Sequence, residues 1–212
     1  CLKATKRFLH RTCKKLGLNT AVAPVNGPAN ELLILKTNYN CGGLAESWLT
    51  REHAIRLGRM SRTSPFSGPL AYPVLRRCQV APKYWRMRSV VVEKYIQHPD
   101  QRIFRGYVFG NAGVLSEGVN AARIKKMYPG IPRKNHRADL NRSFRGRDPA
   151  LQNIHDQMRR LVAGLALDYA AIDFVCDNRN RAFAIDINLT PHWGSESQPW
   201  LIRHLRRGLH RL

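Results

Sequence analysis

Two aspartates and an asparagine, Asp173, Asp186 and Asn188, interrupt runs that are otherwise apolar, Ala171-Ile172-Asp173-Phe174-Val175-Cys176 and Ala182-Phe183-Ala184-Ile185-Asp186-Ile187-Asn188. The polar stretch Asp177-Asn178-Arg179-Asn180-Arg181 between the runs reads as the turn of a hairpin. Successive side chains of a strand point to opposite faces, so Asp186 and Asn188 share a face that Asp173 can join from across the hairpin. Charge in an apolar strand is costly unless it is paired or metal-bound. Two carboxylates and an amide oxygen form a hard donor set that suits magnesium, which usually binds one or two carboxylates plus substrate phosphates. The competing reading is a pair of ordinary hairpin carboxylates held by nearby arginines.

Other residues have the chemistry of a phosphate and nucleotide site. Lys36 ends the apolar run Leu32-Leu33-Ile34-Leu35, and a loop with Asn40, Gly42 and Gly43 follows it. A lysine there can set its ammonium on a phosphate, and small residues let backbone N–H groups approach phosphate oxygens. No G-x-x-x-x-G-K-[ST] motif occurs, so the loop is not a P-loop. Val90-Val91-Val92 runs into Glu93-Lys94-Tyr95-Ile96, an edge whose backbone can read a base, and Asp100 follows at a distance suited to a ribose hydroxyl. Taken alone, each segment is also explained by a strand ending in solvated charge.

The elements that must position these groups follow from periodicity. Leu2, Leu9, Cys13 and Leu16 predict a helix from Lys3 to Leu16, closed by Gly17. Asn26-Gly27-Pro28 is a turn, Glu31–Lys36 a buried strand, and Ala45–Met60 a second helix. Residues 61–88 are broken by four prolines, with a short strand over Leu70–Leu75. Arg88–Ile96 is a strand, and Phe104–Phe109 and Gly113–Leu115 form a hairpin. Residues 120–148 read as a basic, mobile loop. Leu151, Ile154, Met158, Leu161 and Leu165 make the apolar stripe of a helix, and a basic amphipathic helix spans Trp200–Leu212.

The length of 212 residues suffices for one domain or two small lobes, and an apolar fraction of 43% is that of a globular chain. No apolar run reaches the roughly 20 residues of a membrane span. The net charge of +22 fits a polyanionic partner (nucleic acid, an acidic peptide or a polyphosphate) and equally a merely solvated basic surface. Five widely spaced cysteines without a C-x-x-C pair argue against zinc and point to a reducing, cytoplasmic compartment. The chain begins at Cys1 rather than Met, which predicts a fragment or processed form with further sequence upstream.

In their order along the chain these pieces resemble the ATP-grasp superfamily. The basic helix running to Gly17 and the small-residue strand Thr20-Ala21-Val22-Ala23-Pro24 are similar to its opening. Lys36 looks like its phosphate-binding lysine, Asn40 to Gly43 like its flexible loop, and Glu93-Lys94-Tyr95-Ile96 like its adenine hinge. Asp173, with Asp186 and Asn188 thirteen and fifteen residues on, looks like its metal set. The resemblance implies an α+β fold of two lobes enclosing a nucleotide cleft. A leading helix and strand would cover 1–30, a small ATP-binding lobe 31–93, and a large lobe with the metal hairpin 94–212. It implies a ligase that uses ATP and Mg2+, or Mn2+ in its place, to activate a carboxylate as an acyl phosphate for attack by an amine. Lys36, Asn40, Gly42, Gly43, Glu93, Lys94, Tyr95, Ile96 and Asp100 would bind ATP, and Arg105 would hold the acyl phosphate. Where many relatives have an arginine two residues before the first metal aspartate, this chain has Ala171, so Arg105 or Arg102 must replace it. Two rivals stand beside this reading. One is a non-catalytic nucleic-acid-binding protein, resting on charge and on basic residues interleaved with Tyr84, Trp85 and Phe144. The other is a degenerate ATP-grasp protein that binds nucleotide without ligating anything.

Overall fold

The computed structural model describes residues 5–39, 72–124, 127, 131–189, 191 and 199–211. The helix expected over Ala45–Met60, and Asn40, Gly42 and Gly43 of the small-residue loop, lie outside the described residues. The chain divides into two units, one from Cys1–His10 with Ala21–Tyr95, the other from Arg11–Thr20 with Ile96–Leu212. Helix α1 (Lys6–Lys15) gives its first half to one unit and its second half to the other. Gly17, at φ +65°, supplies the left-handed turn that ends it.

In the first unit, β1 (Leu32–Thr37) lies between β2 (Val74–Arg76) and β3 (Val90–Lys94) in an antiparallel sheet of order β2-β1-β3. Leu33, Leu35, Val90 and Val92 pack with Ala23 and Val80 into an apolar cluster, joined by Tyr84 and Trp85 of a one-turn helix, α2 (Pro82–Arg86). On the other face stand Ile34, Lys36, Val91 and Glu93, as the pairings Ile34↔Glu93 and Lys36↔Val91 require. Both faces are covered, which is why β1 reads as a continuous apolar run rather than an alternating one.

The second unit is a five-stranded antiparallel sheet of order β6-β5-β4-β7-β8. Its strands are β4 (Arg102–Phe109), β5 (Ala112–Val119), β6 (Arg133–Arg137), β7 (Tyr169–Cys176) and β8 (Ala182–Asn188). Helix α3 (Pro149–Leu165) lies against β7 and β8 and buries the expected stripe Leu151, Ile154, Met158, Leu161 and Leu165. Asp148 caps it, accepting from the N–H groups of Ala150 and Leu151. Met158 occupies the space over Gly106, where a Cβ would come within 2.4 Å of its sulfur. The opposite face of the sheet is partly covered by α4 (Pro199–Leu205), whose Leu201 and Leu205 pack on Tyr107, Val114 and Ala171. A 3-10 segment, Arg206–Arg211, continues α4, so the expected helix is half helical and half tighter turns.

Strand β6 lies inside the stretch expected to be a mobile loop. Arg-Lys-Asn-His-Arg has no apolar pattern to announce a strand. An edge strand needs only one neighbour, and β5 provides it by pairing Gly118 to Val114 with Arg133 to Arg137. Among the described residues, no helix is long and apolar enough to cross a membrane.

Candidate active site

The acidic hairpin forms with the expected strands but an unexpected register. Ala171 pairs with Asn188, Ile172 with Ile187 and Asp173 with Asp186, yet Phe174 pairs with Ala184. Ile185 is therefore an extra residue, a β-bulge. Had the lower half of the ladder continued unbroken, Ile185 would stand opposite Asp173 and Asp186 would turn to the other face, because a one-residue slip exchanges faces. The bulge thus sets Asp186 beside Asp173. Asn188, two residues on, shares their face.

The same row extends across the sheet. Asp173 pairs with Arg105 of β4, Arg105 with Ser116 of β5, and Ser116 with Asn135 of β6. Cross-strand partners share a face, so Asn135, Ser116, Arg105, Asp173 and Asp186 form one polar line across all five strands. Within it, Arg105 donates to both oxygens of Asp173, Nε to Oδ1 at 2.6 Å and Nη2 to Oδ2 at 2.9 Å. Burial alone would lower the arginine's pKa. The bonds to Asp173, with Tyr107 alongside, outweigh it and push the pKa up, so the guanidinium remains charged. Asp186 Oδ1 accepts from the N–H of Ile187 at 3.0 Å.

This donor set fits magnesium. Two carboxylates and one guanidinium leave the row with a net negative charge, and a carboxylate that accepts a bidentate arginine keeps further lone pairs for a cation. Among the described residues no cluster of three or more His, Cys, Asp or Glu could hold a metal alone. Magnesium does not need one, since phosphates and water complete its shell.

In the first unit Lys36 and Glu93 are diagonal neighbours on one face, and Lys36 Nζ lies 2.7 Å from Glu93 Oε2. His10 of α1 completes the cluster, with Nε2 3.0 Å from Glu93 Oε1. Glu93 is 1% exposed. Burial alone would raise its pKa, but the Lys36 ammonium and His10 overcome that and hold it at about 2. Lys94 is half exposed, 3.7 Å from Glu31. The N–H groups of Lys94 and Tyr95 donate to Ala21 and Leu32 carbonyls, and Ile96 begins the second unit. Asp100 is well exposed beside His98.

Sequence reasoning did not find His10, the Arg105–Asp173 pair or the polar line. Only the folded chain reveals them, since His10 and Glu93 lie 83 residues apart and Arg105 and Asp173 lie 68 apart. Arg102, the other candidate to replace the missing arginine, is committed elsewhere. It bridges Glu117 and the helix-capping Asp148.

No protein-family model matches this sequence, and a search of the curated proteins returns no match. The structure does have relatives. It superposes on an L-amino acid ligase from Bacillus licheniformis over 98% of this chain, with TM-score 0.54 and 10% identity. The N5-carboxyaminoimidazole synthetase from Staphylococcus aureus matches 94% of the chain (TM-score 0.52, 13% identity). Biotin carboxylase from Campylobacter jejuni, in a nucleotide complex, matches 96% (TM-score 0.51, 12% identity). The chain has the ATP-grasp fold. The chain spans 47%, 46% and 44% of the length of these three structures.

Proposed function

We propose that this ATP-grasp chain is the nucleotide-binding and phosphoryl-transfer part of an ATP-dependent ligase that joins a carboxylate to an amine. The observation that carries the reading is the bulge in β8, which brings Asp186 to Asp173, with Asn188 and Arg105 on the same face. All three structural relatives bear names of ligating, synthetase or carboxylase enzymes, which supports it. In this reading Asp173, Asp186 and Asn188 hold Mg2+ or Mn2+. Lys36, with Asn40, Gly42 and Gly43, serves the phosphates. Glu93, Lys94, Tyr95 and Ile96 receive the base, and Asp100 the ribose.

When bound, ATP would supply the phosphoryl group that a substrate carboxylate oxygen accepts as ADP leaves, a metal held by Asp173, Asp186 and Asn188 would neutralise phosphate charge, and an amine would then displace phosphate from the activated carboxylate. The protein's part is positional and electrostatic. Arg105 is a fixed cation beside the aspartate pair, placed to share its N–H donors between Asp173 and an incoming anionic oxygen. The buried Glu93 orients Lys36 by fixing its ammonium.

The test is ADP release and hydroxamate formation when the full chain is given MgATP, hydroxylamine and pools of amino acids or acidic peptides. Carboxylate-dependent hydroxamate that disappears in Arg105→Gln is expected. Bound ATP with no hydroxamate from any pool would overturn the ligase reading in favour of a nucleotide-binding protein without ligation.

A further inference from the structure

An open pocket of about 160 Å³ lies in the second unit, where the turn that ends α1 meets α3 and the start of β8. Three side-chain amides line it, and each commits its NH2 group to a backbone carbonyl. Asn19 Nδ2 donates to Ala182 O at 3.2 Å, Asn153 Nδ2 to Asn180 O at 2.8 Å, and Gln157 Nε2 to Asn19 O at 3.1 Å. A carbonyl can bond only the nitrogen end of an amide, so these bonds fix all three orientations. The oxygen ends, Asn19 Oδ1, Asn153 Oδ1 and Gln157 Oε1, have no donor among the described residues. Gln157 is 3% exposed, and a buried acceptor without a donor is costly. Its donor has to come through the pocket it lines. The charges around the pocket are mixed. Asp156 Oδ2 is 3.9 Å from Arg160 Nη1, while Arg160 Nη2 donates to Leu16 O. Arg181 Nε donates to Asp177 Oδ2 at 2.7 Å, and neither of its η nitrogens has an acceptor among the described residues.

We propose that this pocket binds a small zwitterion, a free α-amino acid with a short side chain, whose ammonium goes to Asp156 and the amide oxygens and whose carboxylate goes to Arg160 and Arg181. Charge decides for a zwitterion. A simple anion would meet Asp156 and the amide oxygens, and a metal ion would meet two guanidiniums, so each sets like charge against like. A molecule that carries both signs satisfies both sets. Size decides the side chain. Roughly 150 Å³ holds a benzene ring, so this pocket admits glycine, alanine or serine and excludes a nucleotide. The site is separate from the Arg105 row. Ala182, which also lines the pocket, opens β8 and stands four residues before Asp186, about 13 Å along the strand. The proposal therefore stands independently of the ligase reading.

The test titrates L-alanine into the full chain and follows the side-chain NH2 signals of Asn19, Asn153 and Gln157 by heteronuclear NMR. The three signals should move together and saturate in the millimolar range. Propionate lacks the ammonium and L-alaninamide lacks the carboxylate, so each should bind at least about tenfold more weakly, the loss expected for charge-assisted contacts. Asp156→Asn and Arg181→Gln each remove one charge from a side chain that is more than half exposed, so both variants should fold and weaken L-alanine by a similar factor. Asp168→Asn and Arg203→Gln, exposed elsewhere in the same unit, should change binding less than twofold. No saturable movement of the three signals, or equal loss in both pairs of variants, would overturn the proposal. Propionate or inorganic phosphate binding as tightly as L-alanine would make this an anion site, and L-alaninamide or calcium binding as tightly would make it a cation site. Either result overturns the zwitterion. L-Alanine whose affinity falls in Arg105→Gln but not in Asp156→Asn would be bound at the row of the proposed reaction, which overturns the proposal and leaves the ligase reading intact.

Discussion

Replacing Glu93 with glutamine tests the most deeply buried charge cluster among the described residues. Glu93 is 1% exposed, with Lys36 at 2.7 Å and His10 at 3.0 Å. Its pKa falls from 4.5 to about 2 on folding. At about 1.4 kcal/mol per pH unit, that is on the order of 3 kcal/mol, in the range measured when one partner of a buried pair is removed. Glu93→Gln keeps the size of the side chain but leaves the Lys36 ammonium without a carboxylate. It should therefore lower unfolding free energy by about 3 kcal/mol at pH 7. The pH dependence has a definite sign. Folding depresses this pKa, so the stabilisation is complete above pH 4.5 and is lost as the pH falls toward 2. Urea titrations followed by circular dichroism and tryptophan fluorescence, where Trp85 reports on the first unit's apolar cluster, give the difference between wild type and variant. The gap should be widest at neutral pH and close below pH 4.5. A loss under about 1 kcal/mol, or a gap that does not change with pH, would refute the account of this cluster. Lys36→Met/Glu93→Gln should be less destabilised than the sum of the single changes, since it removes both buried charges.

Three further outcomes follow from the second unit and the thiols. Asp148→Ala removes both the cap of α3 and a partner of Arg102, and should cost about 1–2 kcal/mol in a thermal or urea melt. Gly113→Ala would set a Cβ 2.2 Å from the Ala138 carbonyl oxygen. Because backbone rather than a flexible side chain blocks it, a loss of about 1–3 kcal/mol is expected by the same melt. Burial pushes the Cys13 and Cys176 thiols up to about 12. At pH 8 iodoacetamide should spare both in the native protein and label exposed Cys78 first among these three, as read by peptide mass mapping.

Much of this architecture was legible because it rests on local patterns. The α3 stripe, the apolar run of β1 and the two strands of the acidic hairpin each declare their period within a dozen residues. Asp173 and Asp186 stood out for the same reason, since charge in an apolar strand is conspicuous. The bulge at Ile185 was not. It changes no composition, and it shows only in which residue faces Asp173. The Arg105–Asp173 pair depends on which strands become neighbours, and β4 and β7 are separated in the chain by β5, β6 and α3. Strand β6 was hidden because its five residues are polar and its existence depends on β5. His10 was hidden for a related reason. On a basic amphipathic helix it resembles a solvated residue until Glu93, 83 positions later, arrives beside it.

The central claim is that the hairpin holds the metal of a nucleotide site. Its most direct test is calorimetric titration of the full chain with ATP, in magnesium and in excess chelator, for wild type and Asp186→Asn. Wild-type binding should strengthen at least about tenfold with magnesium, the gain lost when a divalent cation no longer bridges carboxylates and phosphates. Asp186→Asn should abolish that magnesium dependence while leaving the metal-free affinity in place. Equal magnesium dependence in both proteins, or no ATP binding by the wild type, would contradict the account.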